Sequence, residues 1–216
     1  MLILSFLRHA STQWNELGRM QGRHDIPLSS AGHAEVAAWR LPHIVSEPVE
    51  WISSPLSRAV ETAARLCGHA PCVEPALTEM DWGAWEGFRL AELRARFGSE
   101  FTRNEHRGLD FRPPGGESPR DVMDRMTRWL DAIAQRERPI VAVTHNGVLR
   151  ALLAIATGWD MTSKPPIKLR QAALHRFVLE AGRKLAVVAC NVPLVPPFSA
   201  EHPGLRLQPA PSAVPP

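Results

Sequence analysis

A three-layer α/β/α fold on a mostly parallel sheet is what this sequence predicts, and three observations predict it. Short apolar runs alternate with stretches of helical period, the rhythm of strands joined by helical crossovers. Three of those runs end on arginine, histidine or serine followed by turn-forming residues, as strand tips do where an open sheet carries ligand chemistry. A turn at Ala181-Gly182-Arg183-Lys184, between runs at Leu174 to Leu179 and Ala186 to Cys190, adds a hairpin and one antiparallel edge strand.

In chain order, Leu2 to Leu7 reads as a buried strand ending in Arg8-His9. The polar stretch Gln13 to Leu28, carrying Arg19, Gln21, Gly22, Arg23, His24 and Asp25, is long for an idle connection and reads as a binding loop. A helix follows from Ser29/Ser30 to about Val45, shortened or kinked by Pro42. The strand at Trp51 runs into a helix for which Ser54 is the expected N-cap and Pro55 the first residue. Arg58 then falls in the first helical turn, and a short strand lies near Cys72-Val73-Glu74.

Residues 77 to 117 break the rhythm. They hold the acid- and tryptophan-rich run Leu77 to Gly87, a helix from Leu90 to Phe97, and a loop ending in Pro113-Pro114-Gly115-Gly116. This reads as a helical insertion over the strand tips. Beyond it, Ser118 caps and Pro119 starts a helix to Arg136, whose Val122, Met126, Trp129 and Ile133 form a core stripe. Ile140 to His145 is the third strand, with Asn146 the expected cap of a helix from Val148 to Thr157. The domain thus spans 1–192, and 193–216, with 8 prolines in 24 residues, reads as a flexible tail.

If the three strands neighbour one another, their tips gather Arg8, His9, Arg58 and His145. Two guanidiniums and two imidazoles around one point suit a tetrahedral oxyanion, most simply a phosphoryl group. Flanked by two arginines, the His9 imidazole is expected to stay neutral, with a lone pair available near neutral pH.

Arg8-His9 with Thr12 and Asn15, Ser54-Pro55-Leu56-x-Arg58-Ala59, Glu79 ahead of Gly83-x-x-Glu86-Gly87, and Thr144-His145-Asn146-Gly147 together resemble the histidine phosphatase (phosphoglycerate mutase-like) superfamily. The resemblance covers residues 1 to 192 and is similar in kind to small bacterial phosphatases of the α-ribazole phosphatase type. It implies that His9 attacks phosphorus to form a phosphohistidine. It implies too that Arg8, Arg58 and His145 hold the phosphoryl oxygens, and that Glu79 protonates the leaving oxygen and then activates water. Asn15, Thr12, Gln21, Gly22 and Trp82 are expected to contact substrate, and Trp85 is a further candidate. Asp81 and Glu86 compete with Glu79 on sequence alone; Glu86, inside the glycine segment, is expected to support the loop. Ala10 stands where most members have glycine, for which a small backbone change is expected.

These features predict a metal-independent phosphatase of small phosphomonoesters. Only 66 positions separate Glu79 from His145, short against the mutases of the family. The alternatives are mutase-type phosphoryl transfer, which requires water to be excluded from the phosphohistidine, and a protein phosphohistidine phosphatase. No cofactor or metal is expected, since no Gly-rich nucleotide loop and no metal-ligand spacing is present. Net charge is only +3, without a run of five like charges, which argues against a nucleic-acid partner. No run approaches the ~18 apolar residues of a membrane span. Cys67, Cys72 and Cys190 are expected to be reduced thiols, and the protein cytoplasmic. A homodimer is an assembly that the sequence leaves open.

Overall fold

A computed structural model of the chain describes residues 1–45 and 48–194. The elements are β1 (Leu2–Arg8), α1 (Gln13–Glu16), α2 (Ser30–Ala38), β2 (Glu50–Ser53), α3 (Ser57–Cys67) and β3 (Cys72–Val73). They continue with α4 (Leu90–Glu105), α5 (Pro119–Ile133), β4 (Ile140–Thr144), α6 (Asn146–Thr157), β5 (Ala173–Leu179) and β6 (Leu185–Pro193). One six-stranded sheet has the order β3-β2-β4-β1-β5-β6. The pairs β3·β2, β2·β4 and β4·β1 are parallel, whereas β1·β5 and β5·β6 are antiparallel. The edge strand β6 therefore pairs antiparallel, and β5, one strand in, is the member that runs against the rest.

The period of two along the central strands sorts side chains to two cores. Leu2, Leu4, Phe6, Ile140 and Ala142 face α5 and α6, meeting Val122, Met126, Trp129, Val148 and Leu152. Leu7, Val141 and Val143 face the opposite layer, meeting Val36 and Trp39 at the end of α2 and Ala59 and Ala63 of α3. A strand buried on both faces reads as a nearly continuous apolar run, interrupted in β1 only by the buried Ser5, which is why β1 and β4 are legible in the sequence.

Several boundaries move. Helix α2 stops at Ala38, well before Val45, because Trp39 turns to extended backbone and buries its ring in the second core. Helix α4 continues past Phe97 to Glu105, with Gly98 (φ 49°, ψ −123°) forming a kink between two helical halves. Burial of Phe101 against Trp85, at 4.9 Å between ring centroids, holds the second half in place. Trp85 is thus core of the insertion, packed by Phe97, Phe101 and Phe111, and offers no substrate contact. Strand β6 runs to Pro193 and Leu194 is buried, so the chain stays packed two residues beyond 192; the rest of the proline-rich tail lies outside the described residues. All three cysteines are free. No helix among the described residues is long and apolar enough to cross a membrane.

Candidate active site

The order β2-β4-β1 places three carboxyl-terminal strand tips side by side. Arg8 is in register with Thr144, His9 N–H donates to the Thr144 carbonyl at 3.0 Å, and Ser54 N–H donates to the Val143 carbonyl at 3.0 Å. Arg8, His9, Arg58 and Glu79 consequently line one cleft of about 560 Å³, together with Asn15, Gln21, Gly22, Trp82, Asn146 and Arg150. The His145 ring lies 5.1 Å from that of His9. A cleft of this size suits a small molecule.

His9 Nδ1 bonds the Ala10 carbonyl at 2.7 Å, so that nitrogen carries the proton and the Nε2 lone pair is left for the cleft. Burial pushes the His9 pKa well below its usual value of 6.5, reinforced by Arg8 and Arg58, so the ring is neutral near neutral pH. His145 is depressed in the same direction, by burial first and then by His9, Arg58 and Arg8. Its Nε2 lies 2.7 Å from Ser54 Oγ, which in turn accepts the Leu56 N–H at 3.3 Å. The hydroxyl can both donate and accept, so this contact holds the His145 ring in place in either tautomer.

This use of Ser54 corrects its expected role. The helix cap is Leu56, without a side-chain bond, and α3 starts at Ser57; the Ser54 hydroxyl accepts the Leu56 N–H ahead of the helix and also meets the His145 ring. Arg58 nevertheless stays in the first turn and is fully buried. It donates through Nη1 to the His24 carbonyl and through Nη2 to the Gly22 carbonyl, both at 2.8 Å, so it also ties the Gln13 to Leu28 loop to the sheet. Burial lowers the pKa of Arg8 and of Arg58, opposed in both by the charge of Glu79. Arg8 Nε, Arg58 Nε, His145 Nδ1 and Gln21 Oε1 are buried without a hydrogen-bond partner among the described residues. Orphaned donors are rare in protein interiors, and here two guanidinium N–H groups lie at one site with an unpartnered ring nitrogen of His145.

Glu79 is half-buried in the cleft wall, and its carboxylate accepts the Gly147 N–H at 3.0 and 3.3 Å. A Cβ at Gly147 would fall less than 3 Å from that carboxylate, so only glycine lets it approach. The start of α6 also differs from expectation. Asn146 is already helical, His145 holds the cap position, and Glu79 takes the N–H of Gly147 in the first turn. Arg125 grips the segment ahead of Glu79, bonding the Thr78 carbonyl at 2.6 Å and the Ala76 carbonyl. Glu117 joins Arg125 to Arg23 and to the Asp81 N–H at 3.0 Å. Asp81, the rival acid, is engaged by Arg23 and the Gly83 N–H. Glu86 is a loop support, accepting from the Arg23 and His24 N–H groups and pairing with the His24 ring.

Of the expected substrate contacts, Asn15, Gln21, Gly22 and Trp82 line the cleft, whereas Thr12 does not. Thr12 is fully buried and caps α1, its N–H and Oγ1 holding Asn15 Oδ1 at 3.1 Å. It acts by orienting Asn15, whose amide nitrogen is left as a donor for the cleft. Ala10 stands outside the left-handed residues, so its methyl sits on ordinary backbone, with its N–H donating to Thr62 Oγ1 at 3.1 Å. Arg19, in the stretch read from sequence as a binding loop, lines the cleft mouth while donating to the Gly87 carbonyl at 2.6 Å. Met20, Leu90, Phe111, Arg150 and Met161 also line the cleft and were missed. Of these only Arg150 carries a sequence signal, its spacing of three and four residues from Gly147 and Asn146 on the helix behind His145.

The sequence matches the Histidine phosphatase superfamily (branch 1) over residues 4–192. It is 33% identical over 164 residues to a 2,3-bisphosphoglycerate-dependent phosphoglycerate mutase 2 of Gloeobacter violaceus, covering 71% of this chain and 74% of that one. It is 33% identical over 176 residues to a glucosyl-3-phosphoglycerate phosphatase of Mycolicibacterium vanbaalenii, covering 75% and 77%. The structure of a mycobacterial glucosyl-3-phosphoglycerate phosphatase with VO3 superposes with a TM-score of 0.75 at 27% identity, covering 89% of this chain and 100% of the other. These relatives bear mutase and phosphatase names, and the α-ribazole type is not among them. The matched span, the sheet and the cleft at its strand tips agree: the chain belongs to the histidine phosphatase superfamily.

Proposed function

We propose that this chain is a metal-independent phosphomonoesterase that hydrolyses a small-molecule phosphate ester through a phosphohistidine on His9. The observation that carries the reading is the gathering of Arg8, Arg58 and His145, each with an unpartnered buried nitrogen, around a neutral imidazole with a free Nε2. Phosphoryl transfer needs an in-line nucleophile, charge on the equatorial oxygens met by fixed donors, and a proton for the leaving oxygen. In this reading His9 Nε2 attacks phosphorus, the P–O bond to the leaving group breaks, and Glu79 delivers its proton to the departing oxygen. A water then attacks the phosphohistidine, Glu79 takes up its proton, and the P–N bond breaks to release phosphate and restore His9. The two guanidiniums and His145 supply the charge stabilisation that a metal ion supplies in other phosphatases. Each such donor typically contributes roughly 10²–10³ in rate.

A mutase-named relative keeps phosphoryl transfer between hydroxyls as the second reading. Hydrolysis of 4-nitrophenyl phosphate in the presence of chelator separates the two. The proposal expects phosphate release unaffected by chelator. No release, together with isomerisation of 3-phosphoglycerate once a bisphosphate primer is added, would establish the mutase instead.

A further inference from the structure

Arg58 is fully buried, yet among the described residues no carboxylate lies within ion-pair reach of it. Its two Nη atoms end instead on the Gly22 and His24 carbonyls, both at 2.8 Å. Burial lowers its pKa, and the charges of Glu79, Asp25 and Glu86 oppose that shift from a distance. Two carbonyls on a planar guanidinium fix where it points. Whatever fixes those carbonyls therefore aims Arg58.

Glu86 is in contact with both of their residues. Its side chain is only 6% exposed. Oε1 accepts the Arg23 N–H at 2.7 Å, and Oε2 accepts the His24 N–H at 3.0 Å. The Arg23 N–H and the Gly22 carbonyl belong to one planar peptide group, which bonds a carboxylate on one edge and the guanidinium on the other. His24 repeats the pattern within one residue, its N–H on Glu86 and its carbonyl on Arg58. Hydrogen bonds in series polarise one another, so the charge of Glu86 reaches the guanidinium through the backbone.

The local sequence suits this arrangement. Gly22 has φ 54°, and a Cβ on it would fall less than 3 Å from Glu86 Oε1. Successive N–H groups beside a left-handed residue cradle an anion, and a side chain of the protein fills this cradle. Glu86 Oε1 also accepts the Trp82 N–H at 3.3 Å, and Oε2 meets the His24 ring. Asp25 closes the other end, taking the N–H and the hydroxyl of Ser57, each at 2.7 Å, directly ahead of Arg58.

We propose that Glu86 is a positioning residue for the phosphoryl site, aiming Arg58 through the Gly22–Arg23 peptide and the backbone of His24. Support of the loop alone would require only that the loop stay folded. The relay makes the direction of one phosphate-holding cation depend on a carboxylate outside its own bonding partners. The inference rests on the reading of Arg58 as a holder of phosphoryl oxygens, and it applies to hydrolysis and transfer alike.

Inorganic phosphate is the probe, its affinity measured by calorimetry on the full chain, beside kcat/KM for 4-nitrophenyl phosphate. Glu86→Gln keeps the side-chain length and one acceptor oxygen but sets an NH2 group against an N–H. Removing a negative charge near a bound dianion would, by Coulomb's law alone, tighten phosphate. The relay predicts the opposite, with phosphate affinity lower by about tenfold and kcat/KM by roughly 10- to 100-fold. The loss also requires Arg58. In an Arg58→Lys background, Glu86→Gln should change phosphate affinity by about threefold or less, whereas a residue that only packs the loop would act equally in both backgrounds. Glu86→Asp, one methylene too short to reach both N–H groups, replaces the glutamine variant if that chain does not fold. Tighter or unchanged phosphate binding in Glu86→Gln, or a loss of the same size in both backgrounds, overturns the proposal. Coupled loss of phosphate binding in a protein without phosphatase turnover overturns the phosphatase reading and leaves Glu86 in its role. A parent chain that binds no phosphate overturns both.

Discussion

Gly147→Ala is expected to separate stability from catalysis. Alanine in place of glycine inside a helix normally stabilises by about 1 kcal/mol. Here the added methyl would fall less than 3 Å from Glu79 Oε1, 3.2 Å from Met80 Cβ and 3.3 Å from Glu79 Cδ. The carboxylate has to withdraw by about 1 Å, a displacement that alone can reduce rate by about 10²-fold. Withdrawal also breaks the bonds to the Gly147 N–H, and a hydrogen bond to a charged group contributes about 1.5–3 kcal/mol. Propensity offsets part of that, so urea denaturation should show a net loss of about 0.5–2 kcal/mol. Hydrolysis of 4-nitrophenyl phosphate should fall much further, by at least ~10²-fold in kcat. Activity within threefold of the parent would refute the placement of Glu79 as the acid that faces the reacting oxygen.

Ser54→Ala removes the partner of His145 Nε2 and should lower kcat/KM by about 10- to 100-fold with a shifted acid limb, while Ser54→Thr restores most of it. A recovered pH profile without a recovered rate would show that Ser54 acts by packing and not by its hydrogen bond to His145. Three buried histidines, His9, His145 and His175, have pKa values depressed below 6.5. The unfolded chain therefore binds more protons below that value, and stability should be level above about pH 6.5 and fall beneath it, by up to ~1.4 kcal/mol per pH unit for each histidine. Urea midpoints measured from pH 8 to pH 5 check the sign; a rise toward acid contradicts it. Arg58→Lys loses the fork that spans the Gly22 and His24 carbonyls, so trypsin should cut faster after Arg19 and Arg23 even where the fold persists.

Much of this site was legible because it sits at the ends of elements whose sequence pattern is strong. Strands β1 and β4 are buried on both faces, so Arg8, His9 and His145 stand out as the first polar groups after apolar runs. Parallel pairing then brings their tips together without further information. What escaped depends on contacts between distant segments. Thr12 reads as a polar loop residue until its bond to Asn15 shows it buried. Ser54 obeys the rules for a helix cap, and only the fold brings its hydroxyl against His145, 91 residues on. Helix α4 looks finished at Gly98 because a glycine there ordinarily ends a helix, yet burial of Phe101 carries it past the kink. The apolar lining from Met20, Leu90, Phe111 and Met161 comes from four separate segments and follows no period.

The central claim is a covalent intermediate on His9, and rapid acid-free quenching with a 32P-labelled phosphomonoester tests it most directly. The account predicts protein-bound label that is stable to alkali, labile to acid, carried by the peptide containing His9 and absent from His9→Ala. No transient label during rapid turnover, label on another residue, or turnover that survives in His9→Ala would contradict it.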